Sequence, residues 1–127
     1  MSWIFIDTHE RGVMRLAMLP MRGRIRSLRR KVAPGASIAT LATFVAPKNV
    51  ERASGICVVA GPGSFSAVRS GVLAANLLAR VYGKPLYGFS CHETADLRVV
   101  RDRLAAGSVA VVPYVAPVYD AEPNITC

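Results

Sequence analysis

The residues best suited to chemistry are Gly61, Pro62, Gly63 and Ser64, which interrupt an apolar run and lead into a long stretch of Ala, Leu and Val. A strand that enters a helix through such a turn leaves several backbone amides free at the positive end of the helix dipole. Turns of this kind hold phosphate and other anions. Pro62 sets φ near its ring value, and Gly63 is expected to take the positive φ that most residues avoid. Ser64 is then the N-cap, its hydroxyl satisfying a free amide at the helix start. Arg69 follows about one and a half turns later, at ~3.6 residues per turn, placed to reach an anion or a partner.

Nucleotide chemistry asks for more than a turn. A Walker loop reads G-x-x-x-x-G-K-[ST], and no Gly-Lys follows Gly63. A dinucleotide fingerprint would need glycine where Ser66 stands, and the next strand, "PLYGF", ends without the acid that holds a ribose. Ser64 lies outside G-x-S-x-G, so the hydrolase elbow is missing. Ser64, His92 and Asp96 have the residue types of a triad but no supporting spacing. His9 and His92 are too far apart for an H-x-x-x-H metal pair. Cys57, Cys91 and Cys127 are odd in number and widely spaced, with neither metal-ligand spacing nor a disulfide framework. Cys57 reads as a small buried hydrophobe. No catalytic or metal-ligating residue is assigned.

The elements that must position the turn follow from periodicity. Residues 3–8, "WIFIDT", and 13–19, "VMRLAML", read as an antiparallel pair across the turn "HERG". Residues 22–32 alternate Arg with other residues over their first half and fit a third strand with one wet face. Ile38, Leu41 and Val45 recur at helical spacing, predicting a short helix within 34–47 that stops at Pro47. "ICVVAG", 56–61, is apolar without alternation, as in a strand covered on both faces. A helix over 64–82 follows, then a short strand in "KPLYGFS". Ser90 and Glu93 form a capping-box pattern that opens a helix to about residue 106. "SVAVVPYV", 108–115, reads as a last strand, and Pro113, Pro117 and Pro123 make the tail unsuited to a central one. Three antiparallel strands extended by parallel ones, with helices against the sheet, make an α/β domain.

The helix over 64–82 is more telling than its turn. Over residues 71–79 only Asn76 is polar, whereas a surface helix keeps one polar face. Phe65, Val68, Val72, Ala75, Ala79 and Tyr82 form one stripe, assigned to the sheet. Ala67, Gly71, Ala74 and Leu78 form a second, small and flat, that lets another helix approach closely. The competing reading covers that stripe with another helix of the same chain.

A chain of 127 residues suits one domain, and its net charge of +8 is large for that size and unevenly spread. Arg22, Arg24, Arg26, Arg29, Arg30 and Lys31 lie together with no acid among them. Such a patch attracts nucleic acid or an acidic surface. The competing reading is an edge strand whose charges block unwanted pairing, since no aromatic residues interleave to stack bases. "MSWIFIDTHERG" has no basic n-region and only a four-residue apolar run, so neither a signal peptide nor a membrane span is expected there. With this cysteine usage a cytoplasmic location is expected, and the sequon at Asn124 carries little meaning.

"IFIDT", "VVAGPGSFSAVRSG" and "GKPLYGFS" resemble the bacterial TsaB proteins, also called YeaZ, of the glycoprotease-like branch of the actin and sugar-kinase superfamily. Gly61, Pro62, Gly63, Ser64, Phe65, Arg69 and Gly71 match the family's motif, while Ser66, Ala67 and Val68 replace Thr, Gly and Leu. In the helix, Asn76 and Leu77 stand where Lys-Gly is usual. The resemblance implies a ribonuclease H-like mixed sheet forming a single actin-like lobe over residues 1–107, with 108–127 as the remnant strand and Pro-rich tail of a second lobe. It implies a non-catalytic scaffold for threonylcarbamoyladenosine formation on tRNA, pairing through helix 64–82 with TsaD or with itself. A TsaE-like ATPase would join, tRNA would be met indirectly, and nucleotide and metal would belong to the partner. Asp7 stands where kinase-like relatives place a metal-bound acid, and in a TsaB-like chain it fixes the hairpin turn. Two other readings are a nucleotide-binding phosphotransferase of the same superfamily and a basic RNA-binding module.

Overall fold

The structure, a computed structural model, describes residues 1–32, 41 and 45–119. Strands β1 (Ser2–Asp7), β2 (Val13–Pro20) and β3 (Arg26–Lys31) form an antiparallel meander. Helix α1 (Pro47–Arg52) leads to β4 (Gly55–Gly61), which pairs parallel with β1, Ile4 opposite Ile56. Helix α2 (Phe65–Tyr82) then crosses to β5 (Leu86–Ser90), parallel to β4. A 3-10 turn (Cys91–Glu93) and helix α3 (Leu97–Ala105) follow. The strand order is β3-β2-β1-β4-β5, the mixed sheet expected of a ribonuclease H-like α/β lobe.

Strand alternation sends successive side chains to opposite faces, and each face has its own core. Ile4, Ile6, Leu16, Ile56 and Val58 pack with Val68, Val72, Ala75 and Ala79 of α2. Trp3, Phe5, Leu19, Cys57, Val59 and Phe89 pack with Val100 and Leu104 of α3. The unalternating run in β4 is therefore buried on both sides, as its composition predicts. Burial pushes the Cys57 thiol far above its ordinary pKa, so it stays protonated.

Several boundaries differ from expectation. Most of the helix expected over 34–47 lies outside the described residues, although Leu41 and Val45 are in the core. Pro47 opens α1, because its missing N–H costs nothing in a first turn. The third strand begins only at Arg26, after a turn at Gly23 with φ 100°. The helix expected from Ser90 is divided in two. Ser90 Oγ accepts from His92 N and Glu93 Oε1 from Ser90 N, but this box closes only the 3-10 turn. The Ser90 N–H, and then the Arg103 side chain, hold the Glu93 carboxyl below its usual range. Asp96 caps a second start, accepting from Arg98 N at 2.9 Å.

No strand forms over 108–115. Residues 111–119 run extended across α2 and β5, joined to the sheet by isolated bridges at Val112–Leu86 and Tyr119–Gly63. Pro113 and Pro117 have no N–H for a continuous ladder. Among the described residues no helix is long and apolar enough to cross a membrane. Cys127 and the sequon at Asn124 lie outside them.

Candidate functional site

The glycine turn sits where β1, β4 and the start of α2 meet, and its Ser64 amide faces the protein's own backbone. Gly61, not Gly63, takes the positive φ, at 117°, and the Gly61–Pro62 bond is cis. A Cβ on Gly61 would overlap the Val118 carbonyl oxygen. Gly63 is glycine because the His9 carbonyl oxygen lies against it, and an added Cβ would also meet Val68 Cγ2 at 2.7 Å. The same His9 oxygen accepts from Ser64 N at 3.3 Å. On the other side Val118 N donates to Ala60 O at 2.7 Å. Both glycines thus serve close backbone approach. Ser64 is the N-cap by position, but its hydroxyl makes no capping bond and its Oγ has no partner. The expected side-chain cap is absent, and groups of the preceding hairpin bond there instead, the His9 carbonyl to Ser64 N and the Thr8 hydroxyl to Ala67 O.

Beneath the turn, the acid at the end of β1 is fully engaged. Asp7 Oδ1 accepts from His9 N at 3.0 Å and lies 2.6 Å from His9 Nδ1. Asp7 Oδ2 accepts from Arg15 Nε at 3.1 Å and Nη2 at 2.9 Å. Arg15 also donates to Thr94 O at 2.8 Å and lies over the Phe5 ring. The carboxylate fixes the hairpin turn, the structural role expected of it, and Arg15 links the hairpin to the segment before α3. Such a buried pair is costly to break, about 3–5 kcal/mol. Among the described residues no three His, Cys, Asp or Glu side chains gather as a metal site.

Helix α2 carries the main departures from the expected faces. Gly71 is closed off by Thr8, since a Cβ there would overlap Thr8 Oγ1. Thr8 Oγ1 in turn donates to Ala67 O at 2.5 Å. Ala74 and Leu78 are half-buried against the α2-side core. The small stripe Ala67, Gly71, Ala74, Leu78 is therefore largely covered from within. Phe65, expected against the sheet, is 46% exposed. It stacks on Tyr119 with ring centroids 4.6 Å apart, and the Arg69 guanidinium lies 5.9 Å from its ring. The open surface is one residue round the helix, where Leu73, Leu77 and Val81 are 54%, 54% and 72% exposed. Their i, i+4, i+8 spacing is the sequence signal of this face, hidden because the neighbouring positions of the helix are apolar too.

Asn76, the one polar residue of its stretch, clasps the extended segment. Its Nδ2 donates to Val115 O and its Oδ1 accepts from Val115 N, both at 2.9 Å. Beside this clasp a cleft of about 860 Å³ opens between α2 and residues 111–117. Leu73, Val112 and Tyr114 give it apolar walls, while Arg69, Arg80 and Lys84 stand at its rim without an acid among the lining residues. Of the residues singled out in the sequence, the glycine turn and Arg69 are thus brought together with α2. Arg22, Arg24, Arg26, Arg29, Arg30 and Lys31 lie apart from them, in the turn before the outermost strand and along it.

Three comparisons bear on this arrangement. Residues 42–123 match the family model described as TsaD, tRNA N6-adenosine threonylcarbamoyltransferase. YeaZ from Pseudomonas aeruginosa is similar in structure, with a TM-score of 0.63 at 19% identity, over 81% of this chain and 51% of that one. A second structure, a protein with similarity to peptidase YeaZ from Pseudomonas aeruginosa, gives 0.63 at 19% identity, over 80% and 49%. The chain therefore spans about half the length of these structures. No curated protein matches it significantly in sequence.

Proposed function

The chain belongs to the TsaD family, tRNA N6-adenosine threonylcarbamoyltransferase, and we propose that it acts there as a TsaB-like scaffold without chemistry of its own. In this reading residues 1–107 form the pairing lobe and the following segment leads toward a second lobe. Nucleotide and metal are assigned to a TsaD-like catalytic subunit, and a TsaE-like ATPase joins the assembly. The observation that carries the reading is the ridge of Leu73, Leu77 and Val81 on α2, three large apolar side chains each more than half exposed. Exposed apolar residues arrayed on one helix face mark a partner site. Further support comes from Asp7, whose two oxygens are both taken by His9 and Arg15.

The rim of the cleft favours a different protein over a second copy. Self-pairing through α2 would set Arg69, Arg80 and Lys84 against their own equivalents, and like charges across an interface are costly. An acidic partner surface would be drawn to the same place.

The test is co-elution with a TsaD-like subunit. Leu73→Asp with Leu77→Asp should abolish it while thermal unfolding stays unchanged. A double variant that still co-elutes would remove α2 as the pairing element. Self-association of the native chain that outcompetes the catalytic subunit would replace the heterodimer by a homodimer.

A further inference from the structure

We propose that the outer strand β3 and the turn before it form a docking ridge for the phosphate backbone of a base-paired RNA, read without sequence preference. This needs no partner protein, so it stands apart from pairing through α2. Six cations occupy residues 22–31, and all six are exposed. Among the described residues only Arg29 has an ion pair, its Nη2 lying 2.9 Å from Glu10 Oε2. Among the described residues Arg22, Arg24, Arg26, Arg30 and Lys31 make no salt bridge.

The strand places these charges on both sides of an edge that no other strand pairs among the described residues. Leu28 pairs with Leu16, so Arg26 and Arg30 flank the face covered by α2, while Arg29 and Lys31 flank the other. At ~3.3 Å per residue β3 runs about 17 Å, and the turn carries the row further. The turn is held in place: Arg101 Nη1 donates to Gly23 O at 3.1 Å and to Pro20 O at 3.4 Å.

This shape selects among polyanions. Blocking strand pairing needs only a charge or two of either sign, whereas here every charge has one sign. A protein interface would need an apolar centre, but the only apolar residues of the row, Ile25 and Leu28, are half-buried within the fold. A bilayer surface is flat, while these charges leave β3 on both faces of the sheet. Guanidiniums on both sides of one strand suit the groove between two phosphate backbones, to which Arg binds bidentately. No aromatic side chain lies within residues 22–31, so bases of a single strand have nothing to stack on there.

The test measures binding of the full chain to a random-sequence double-stranded RNA and to a single strand across a salt series. With five phosphates neutralised, the duplex affinity should fall about 500-fold between 50 and 200 mM salt. Arg26→Gln with Arg30→Gln should lower the salt slope by about two. Lys48→Gln with Arg52→Gln, which removes the same charge elsewhere, should leave it unchanged. Equal loss in both double variants would mean that net charge alone is read, overturning the ridge. Absent duplex binding at 50 mM, preference for the single strand, or retention on polyglutamate or anionic vesicles in place of RNA would each overturn it too. Co-elution with a TsaD-like subunit is read in a separate assay, so failure here leaves pairing untouched.

Discussion

Along its inner side α2 presents Val68, Gly71, Val72, Ala75 and Ala79, and along its outer side Leu73, Leu77 and Val81. The inner residues are the smaller ones, because β1 and β4 come close and Thr8 fills the place of a Gly71 side chain. The outer ones are larger and touch little. Small residues in a helix thus mark where the protein's own backbone comes near, and the exposed large ones mark what is left for another molecule. The sheet-facing assignment of Val68, Val72, Ala75 and Ala79 holds, whereas the small stripe assigned to a partner is largely covered from within.

Substitutions can break or sharpen this contrast. Gly71→Leu should be the most damaging, costing about 3 kcal/mol through overpacking against Thr8, measurable by denaturant unfolding. A variant with unchanged stability would show that the inner side is not closed. Asn76→Ala sits at the border between the two sides. It leaves the Val115 N–H and C=O unpaired and should cost about 2 kcal/mol. Faster amide hydrogen exchange at Val115 would locate the loss there. Leu77→Lys, on the outer side, should shift stability by no more than about 0.5 kcal/mol in thermal unfolding. A large drop would mean that the ridge is already packed.

The periodic elements were legible in the sequence. The apolar stretch "VMRLAML" after the turn "HERG" and the unbroken apolar run before Gly61 locate β2 and β4 to within a residue. The assignment of Asp7 to the hairpin turn also holds, because an acid at a strand end takes the amide two residues on. What failed depended on residues distant in sequence. Ser90 and Glu93 do form a capping box, yet Arg15 binds the Thr94 carbonyl and Asp96 offers a second cap, so the helix restarts. "SVAVVPYV" has strand composition, but Pro113 interrupts its donors and its one firm hold on α2 is a side-chain amide. Gly63 was given the φ that Gly61 takes, since only the fold reveals that His9 leans on one and Val118 on the other.

Thr8 and His9 are consecutive residues, and each rests against a different turn of the same helix, one at Gly71 and the other at Gly63 and Ser64. Two fixed points along an axis prevent both sliding and swivelling. A molecule that grips the far side of α2 therefore takes hold of the whole sheet, and a torque applied there turns β3 with it as a single lever.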